Sequence, residues 1–388
     1  MKTRPLLSAF TLLIGFACQA NQTELPKTPL AEQNLEFEIY DSLVVDYLGN
    51  INLMDISPDG SHYLLIDQNT DTIFVTDSSG EIHYQYKRLG EGPENYDDTR
   101  SSLAKFVSDS EYIIPTSSGI YLYSLAGDLS QKYTLDFNSD VTLVVSNSDN
   151  IALNGNKLYT NLSGRYIDQG LVGVEYQQKA RNIEILDLQT GEFSPALPFP
   201  KKSRFRSETE SHPALAYYTN LAILDDSLFV SFRNEAKIYS YSLTNLDSPY
   251  SAKVIPFEDF ILAETTDPND GEAFRMRDLF VGTVNRMIPL GNGEFIVDYL
   301  SGLTDDEINP IMSESGADLG KMFEQANKAN IAGSVIFDGS KISPIIQKPD
   351  ILGSLTKFVS REEIWFSLNF SKAENDYSVI YKTRLVQK

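Results

Sequence analysis

The sequence is poor in the residues that build staples, metal centres and nucleophilic sites. With one cysteine in 388 residues, no disulfide can form within the chain and no cysteine-based zinc site can be assembled. The three histidines, His62, His83 and His212, stand at no ligand spacing from one another, and HExxH is absent. A Ser-His-Asp triad would need one of them near a G-x-S-x-G elbow, which is also missing. No P-loop or dinucleotide fingerprint follows a strand-like run, so no cofactor is expected. Basic residues number 32 against 54 acidic ones, a net charge of -22. Such a surface repels phosphates and anionic headgroups, which sets aside nucleic acid and basic-patch membrane binding. The acidity reads first as a solubility feature, with a cationic partner or bound calcium as the sharper alternative. Glycine (23) and proline (17) are too few for a disordered chain. After residue 17 no apolar run approaches the ~18 residues that a membrane-spanning helix needs.

What stands at the N-terminus is an address. Lys2 and Arg4 precede an apolar stretch of 12 residues, Leu6 to Ala17, which suits a signal peptide and is too short to span a bilayer. Cys18 follows directly, with Gly15 and Ala17 three and one residues before it. This resembles a lipobox, in which a diacylglyceryl thioether forms on the cysteine and cleavage leaves it first in the mature chain. Gly15 and Phe16 stand where the usual pattern has Leu and a small residue. An ordinary secretory signal cut after Ala17 or Ala20 is the alternative. Residues 1–17 are thus read as a lipoprotein signal peptide and 18–34, polar with Pro26 and Pro29, as a flexible tether. Cleavage removes Lys2 and Arg4 and takes the net charge from -22 to -24. Gln19 rather than Asp after the cysteine favours the outer membrane, and the lipid is expected to be the only membrane contact.

From residue 35 the chain is a series of short alternating runs broken by turns. Leu35–Ile39 alternates apolar and acidic residues as a half-buried strand does. Tyr63–Asp67, Thr72–Asp77, a Ser78-Ser79-Gly80 turn and Glu81–Tyr86 then form a meander. The order recurs at 112–135, 182–193, 221–243, 286–337 and 355–381. Strand, strand, turn at glycine and outgoing strand is the content of one β-propeller blade. Six units in residues 35–388 leave about 59 residues each, more than the ~40–50 of a propeller blade, so loops are long; seven blades is the alternative. The expectation is an all-β propeller occupying residues 35–388 as a single domain, with six blades of four antiparallel strands. The strand within Leu35–Val45 should close the ring against the C-terminal strand near Tyr377–Arg384. Two segments break the pattern. Asp305–Ala332 has helical apolar spacing and reads as an insertion, and Glu272–Phe280 reads as a short helix.

The most specific stretch is Arg88-Leu89-Gly90-Glu91-Gly92-Pro93-Glu94-Asn95-Tyr96. It resembles the largely uncharacterised six-bladed propeller lipoproteins of Gram-negative bacteria, in which G-x-G-P-G-E-[YF] leads out of the first blade. Gly90, Gly92, Pro93 and Tyr96 match, while Glu94 and Asn95 replace Gly-Glu. The resemblance covers about residues 50–135 and implies an NHL-like or TolB-like propeller at the cell envelope. It implies no reaction.

Physically, Gly90 and Gly92 admit positive φ and Pro93 fixes the next turn. Arg88, Glu91, Tyr96 and Arg100 would then line the channel mouth, or else form a stiff corner with the tyrosine packed beneath it. Lys201, Lys202, Arg204 and Arg206 make the densest basic cluster and are candidate contacts for an anionic group, or a solvated loop. Asp267, Asn269, Asp270 and Glu272 offer oxygen ligands for calcium outside the EF-hand register. The sequence therefore reads as an exported, anchored, monomeric propeller that binds a protein, peptide or glycan without catalysis. A propeller hydrolase or lyase with carboxylate, Arg and Tyr in the channel is one alternative, and a scaffold subunit of an envelope assembly complex is another.

Overall fold

Alternation sets the first strand, β1 (Leu35–Val45), where Leu35, Phe37, Leu43 and Val45 are buried and Tyr40, Asp41 and Val44 are exposed. The computed structural model describes residues 30–96, 100–137, 150–162, 165, 173–265, 275–373 and 375–388. The signal segment, Cys18, most of the tether and Asp267, Asn269, Asp270 and Glu272 lie outside them.

Six radial sheets follow. Blade 1 holds β2 (Ile51–Ile56), β3 (Tyr63–Asp67), β4 (Thr72–Thr76) and β5 (Ile82–Lys87). Blade 2 holds β6 (Lys105–Phe106), β7 (Glu111–Pro115), β8 (Gly119–Ser124) and β9 (Leu129–Thr134). In blade 3, β10 (Ile151–Asn154) and β11 (Lys157–Thr160) are separated by α1 (Val174–Lys179) from β12 (Ile183–Asp187) and β13 (Phe193–Ala196). Blade 4 runs β14 (Thr219–Leu224), β15 (Ser227–Phe232), β16 (Lys237–Ser242) and β17 (Ser251–Val254). Blade 5 has β18 (Thr283–Gly291) and β19 (Glu294–Leu300), then α2 (Asp305–Ser315) and α3 (Leu319–Ala329), then β20 (Ala332–Phe337). Blade 6 has β21 (Leu352–Ser360), β22 (Glu363–Leu368) and β23 (Ser378–Gln387), completed by β1.

The ring closes as its pattern required. β1 pairs antiparallel with β23 from Leu35↔Gln387 to Val45↔Ser378, so the first strand of the chain is the outermost strand of the last blade. A closed ring of radial sheets leaves only short, protected strand edges. Blade 5 departs from the expected four strands. Its fourth position is taken by an irregular segment in which Ser343 N donates to Ile336 O and Ile346 N to Ser334 O, both at 2.8 Å. Pro344 has no N–H to give, so a regular ladder cannot form there. The helical expectation for Asp305–Ala332 resolves into α2 and α3. Thr304 N donating to Glu307 Oε2 at 2.7 Å caps the start of α2. Of the short helix expected at Glu272–Phe280, the described part is one 3-10 turn, Met276–Leu279.

The core is a set of layers between blades. Tyr112 and Tyr123 pack between blades 1 and 2, Phe199 and Phe232 between 3 and 4, and Phe37 and Phe366 between 5 and 6. At the seam, Leu43, Val45 and Trp365 of blade 6 meet Leu65 and Phe74 of blade 1. Both faces of most blades are therefore buried, and strands such as β3 are apolar on both sides where simple alternation would leave one face polar.

Candidate binding site at the mouth of the central channel

Antiparallel alternation puts two kinds of connection at the same end of each blade: those leading into an inner strand and those between the second and third strands. The long connections at 88–104, 197–218, 255–282 and 301–331 are of these kinds. The first and second strands are joined at the other end by tight hairpins such as 155–156, 225–226 and 292–293. The long connections are tied together. Arg204 Nη2 donates to Ala263 O at 2.8 Å and Arg277 Nε to Asp305 Oδ1 at 2.7 Å.

One hydrogen bond repeats at this end. The residue after the second strand donates its N–H to the carbonyl of the residue before the inner strand. Gln68 bonds to Asn50 at 3.1 Å, Asn161 to Asn150 at 3.0 Å, Arg233 to Tyr218 at 2.7 Å and Asn369 to Ile351 at 2.9 Å. These equivalent positions in blades 1, 3, 4 and 6 carry five amide side chains, a phenol, Ile351 and the guanidinium of Arg233. Side chains join three blades there. Asn150 Nδ2 donates to Ser101 O at 2.9 Å and to the Tyr218 hydroxyl at 2.7 Å, and Ser102 Oγ donates to Asn150 Oδ1. Burial pushes the Arg233 guanidinium below its ordinary pKa, against the pull of Tyr218. Ser101 Oγ, Thr160 Oγ1, Asn220 Oδ1 and Thr283 Oγ1, all at this end, are buried without a partner among the described residues. An unmet buried polar atom costs about 1–3 kcal/mol, so this end of the channel is built for polar company.

The channel away from the mouth is different. A cavity of about 290 Å³ is lined by all six inner strands, mostly with apolar residues such as Met54, Ile151, Leu221 and Ile288. Its charged groups are Lys105 and Lys357, which flank the buried Asp55. Burial alone would raise the Asp55 carboxyl. The charges of Lys105 and Lys357, with hydrogen bonds from Lys357 and Phe106 N, outweigh it and hold the pKa below the usual carboxylate value. None of the three histidines lines the cavity.

A cleft of about 710 Å³ adjoins the mouth between blades 5 and 6, beginning at Asn285 beside Val284, whose N–H bonds Arg233 O. It is lined by Arg286, Asp298, Ser334, Lys348 and Ser354 over Phe37 and Phe366. Arg286 Nη1 donates to Leu355 O and Lys348 Nζ to Gly353 O, each at 2.6 Å. The volume falls within the range of small-molecule sites.

The residues singled out in the sequence fall elsewhere. The Gly90–Tyr96 segment is a corner between blades 1 and 2. Gly90 and Gly92 adopt φ 130° and 144°, and Gly90 N bonds Tyr96 O at 3.0 Å. Tyr96 is fully buried, with its hydroxyl on Asp71 Oδ2, while Arg100 Nη2 meets Asp71 Oδ1 at 2.9 Å. Arg88 Nε donates to Gly127 O at 2.6 Å, and Glu91 and Pro93 are exposed. None of these residues lines the channel cavity. In the basic loop, Lys201 and Lys202 are exposed. Arg204 is tied to Asn234 Oδ1 at 2.8 Å, and Arg206 Nη1 to Gln178 O at 2.8 Å. His212 is buried beneath that loop, its Nε2 3.1 Å from Arg204 O, and burial beside Arg204 lowers its pKa to about 4. His83 is exposed on β5 and pairs with Asp77 at 3.3 Å. The mouth residues Asn150, Tyr218 and Arg233 escaped sequence reading. Their signal is positional: a polar residue directly before an inner strand, or directly after a second strand.

No family model matches the chain, and no curated protein is similar to it in sequence. Solved structures share its fold. A member of the DUF4221 family from Bacteroides vulgatus superposes with a TM-score of 0.61 at 11% identity, covering 92% of this chain and 100% of that one. A Bacteroides fragilis protein described as exported gives 0.56 at 12% identity, covering 92% and 96%. At such identities the likeness is one of fold: this chain is a six-bladed β-propeller.

Proposed function

We propose that this chain is an exported, lipid-anchored protein whose propeller binds a glycan, protein or peptide at the cell envelope, taken at the channel mouth. The observation that carries the reading is the mouth itself. Long connections converge on one end of the blades, and polar residues there include the partly buried Arg233 guanidinium beside Tyr218 and Asn150. Lys2, Arg4, the apolar run to Ala17 and the lone Cys18 support export and anchorage. β1 starts at the end of its sheet away from the mouth, and Leu30–Glu32, expected as part of the tether, is instead a 3-10 turn with Ala31 buried against blades 5 and 6, so a tether ending at residue 29 turns the mouth outward from the lipid. The test is a crosslinking pull-down of the native protein beside Cys18→Ala. Radiolabelled palmitate enters the wild type alone, and a ligand is captured more strongly by the anchored form. Equal labelling of both proteins would remove the anchor from this account.

A further inference from the structure

We propose that Arg233 binds the carboxylate of an acidic sugar entering the channel mouth, a refinement that rests on the mouth being the binding face. The backbone of Arg233 is pinned on both sides: its N donates to Tyr218 O at 2.7 Å and its O accepts from Val284 N at 2.7 Å. The side chain is partly buried. Among the described residues its guanidinium has no carboxylate and no hydrogen-bond partner, and burial holds its pKa below the ordinary value. Other arginines at the long-connection end are engaged. Arg100 meets Asp71, Arg165 meets Glu184, Arg204 meets Asn234, Arg275 meets Asp278 and Arg277 meets Asp305. In a chain with 54 acidic residues and 32 basic ones, a half-buried guanidinium with neither an acid nor a hydrogen-bond partner among the described residues is open to a ligand's carboxylate.

The chemistry of the site selects the ligand. A planar guanidinium offers two parallel N–H donors to one carboxylate. A dianionic phosphate would meet one cation inside a field of net charge -22 and be less compensated. Beside Arg233 stand Tyr218, whose carbonyl it bonds, Asn150, which donates to the Tyr218 hydroxyl, and Asn220, which donates to Val284 O. Such amides and hydroxyls suit the hydroxyls of a sugar ring.

The test is saturation-transfer NMR on the full-length exported protein with glucuronate, uncharged methyl glucoside and N-acetylalanine as probes. Glucuronate binds the wild type more tightly than either other probe. Arg233→Gln weakens glucuronate at least tenfold, Arg233→Lys weakens it less, and Lys201→Ala with Lys202→Ala leaves it within twofold. In protein labelled with ¹⁵N-arginine the Arg233 Nε–H resonance moves on adding glucuronate, a readout that needs no variant. Three results would overturn the proposal: a stationary resonance, equal binding by Arg233→Gln, or loss that follows the two lysines. Tighter binding of N-acetylalanine would overturn the sugar and leave a peptide terminus. If these fail while crosslinks still form at the mouth, the binding face stands and the carboxylate falls.

Discussion

Lys357 Nζ donates to Asp55 Oδ1 at 2.5 Å, joining the inner strands of blades 6 and 1 across 302 residues of chain. Asp55 Oδ2 also accepts from Phe106 N of blade 2 at 2.8 Å, so one carboxylate holds three blades at the apolar end of the channel. Removing one partner of a buried pair leaves the other uncompensated, at a cost of about 3–5 kcal/mol. Asp55→Ala should lower stability by that amount in urea unfolding at pH 7. Replacing both residues, Asp55→Leu with Lys357→Met, should recover most of the loss.

The same carboxyl makes the seam acid-sensitive. Its folded pKa lies below the ordinary aspartate value of 3.8. Its stabilisation is therefore complete above the unfolded pKa, about 3.9, and is lost as pH falls through the lower folded value. Melting temperatures measured from pH 5 to pH 2 should fall more steeply for the wild type than for Asp55→Asn.

His212 acts in a different window. Its folded pKa, about 4, is below the ordinary histidine value of 6.5, so the unfolded chain binds the proton more readily. Stability from keeping the ring neutral is complete above pH 6.5 and is lost as pH falls towards 4, up to about 3 kcal/mol. NMR of the imidazole should show a neutral His212 at pH 5, and a protonated ring there would contradict its burial.

Tyr96 and Arg204 test whether the corner and the basic loop hold the structure together. Tyr96→Phe removes a hydrogen bond to the Asp71 carboxylate and should cost about 1.5–3 kcal/mol. Arg204→Ala breaks bonds to Asn234 and Ala263 and should cost at least as much, about 2–3 kcal/mol. Lys201→Ala and Lys202→Ala, on exposed side chains, should stay within about 0.5 kcal/mol of the wild type. Thermal melts of the four variants separate the two groups.

Closure predicts how truncation behaves. β1 supplies the outer strand of blade 6 and seats Leu43 and Val45 at the seam. Deleting residues through Val45, or from Ser378 onward, should abolish the cooperative melt followed by circular dichroism. A truncated chain that still melts cooperatively would show that the ring does not depend on its ends.

The fold was legible wherever a strand was long and flanked by a glycine turn. Tyr63–Asp67, Gly119–Tyr123, Ser227–Ser231 and Glu363–Leu368 stand out by period and turn chemistry. The inner strands were largely hidden. β6 is two residues long and β10 four, too short for any periodicity, and they are specified by the blades that pack around them. The site was hidden for a related reason. Asn150 and Tyr218 meet across 68 residues of chain, and only the ring brings them together. Arg88, Tyr96 and Arg204 stood out in the sequence because each sits in a tight turn or a charge cluster, and the structure engages all three in hydrogen bonds between connections.

The claim that the ligand is taken at the mouth is tested most directly by photo-crosslinking in intact cells. A benzophenone amino acid would be placed at Gln68, Asn161 or Asn369 at the mouth, and at Asn156 or Asp225 in the hairpins of the opposite end. The account predicts adducts from the three mouth positions and none from the two hairpins. Adducts from the hairpin positions with a silent mouth would contradict it.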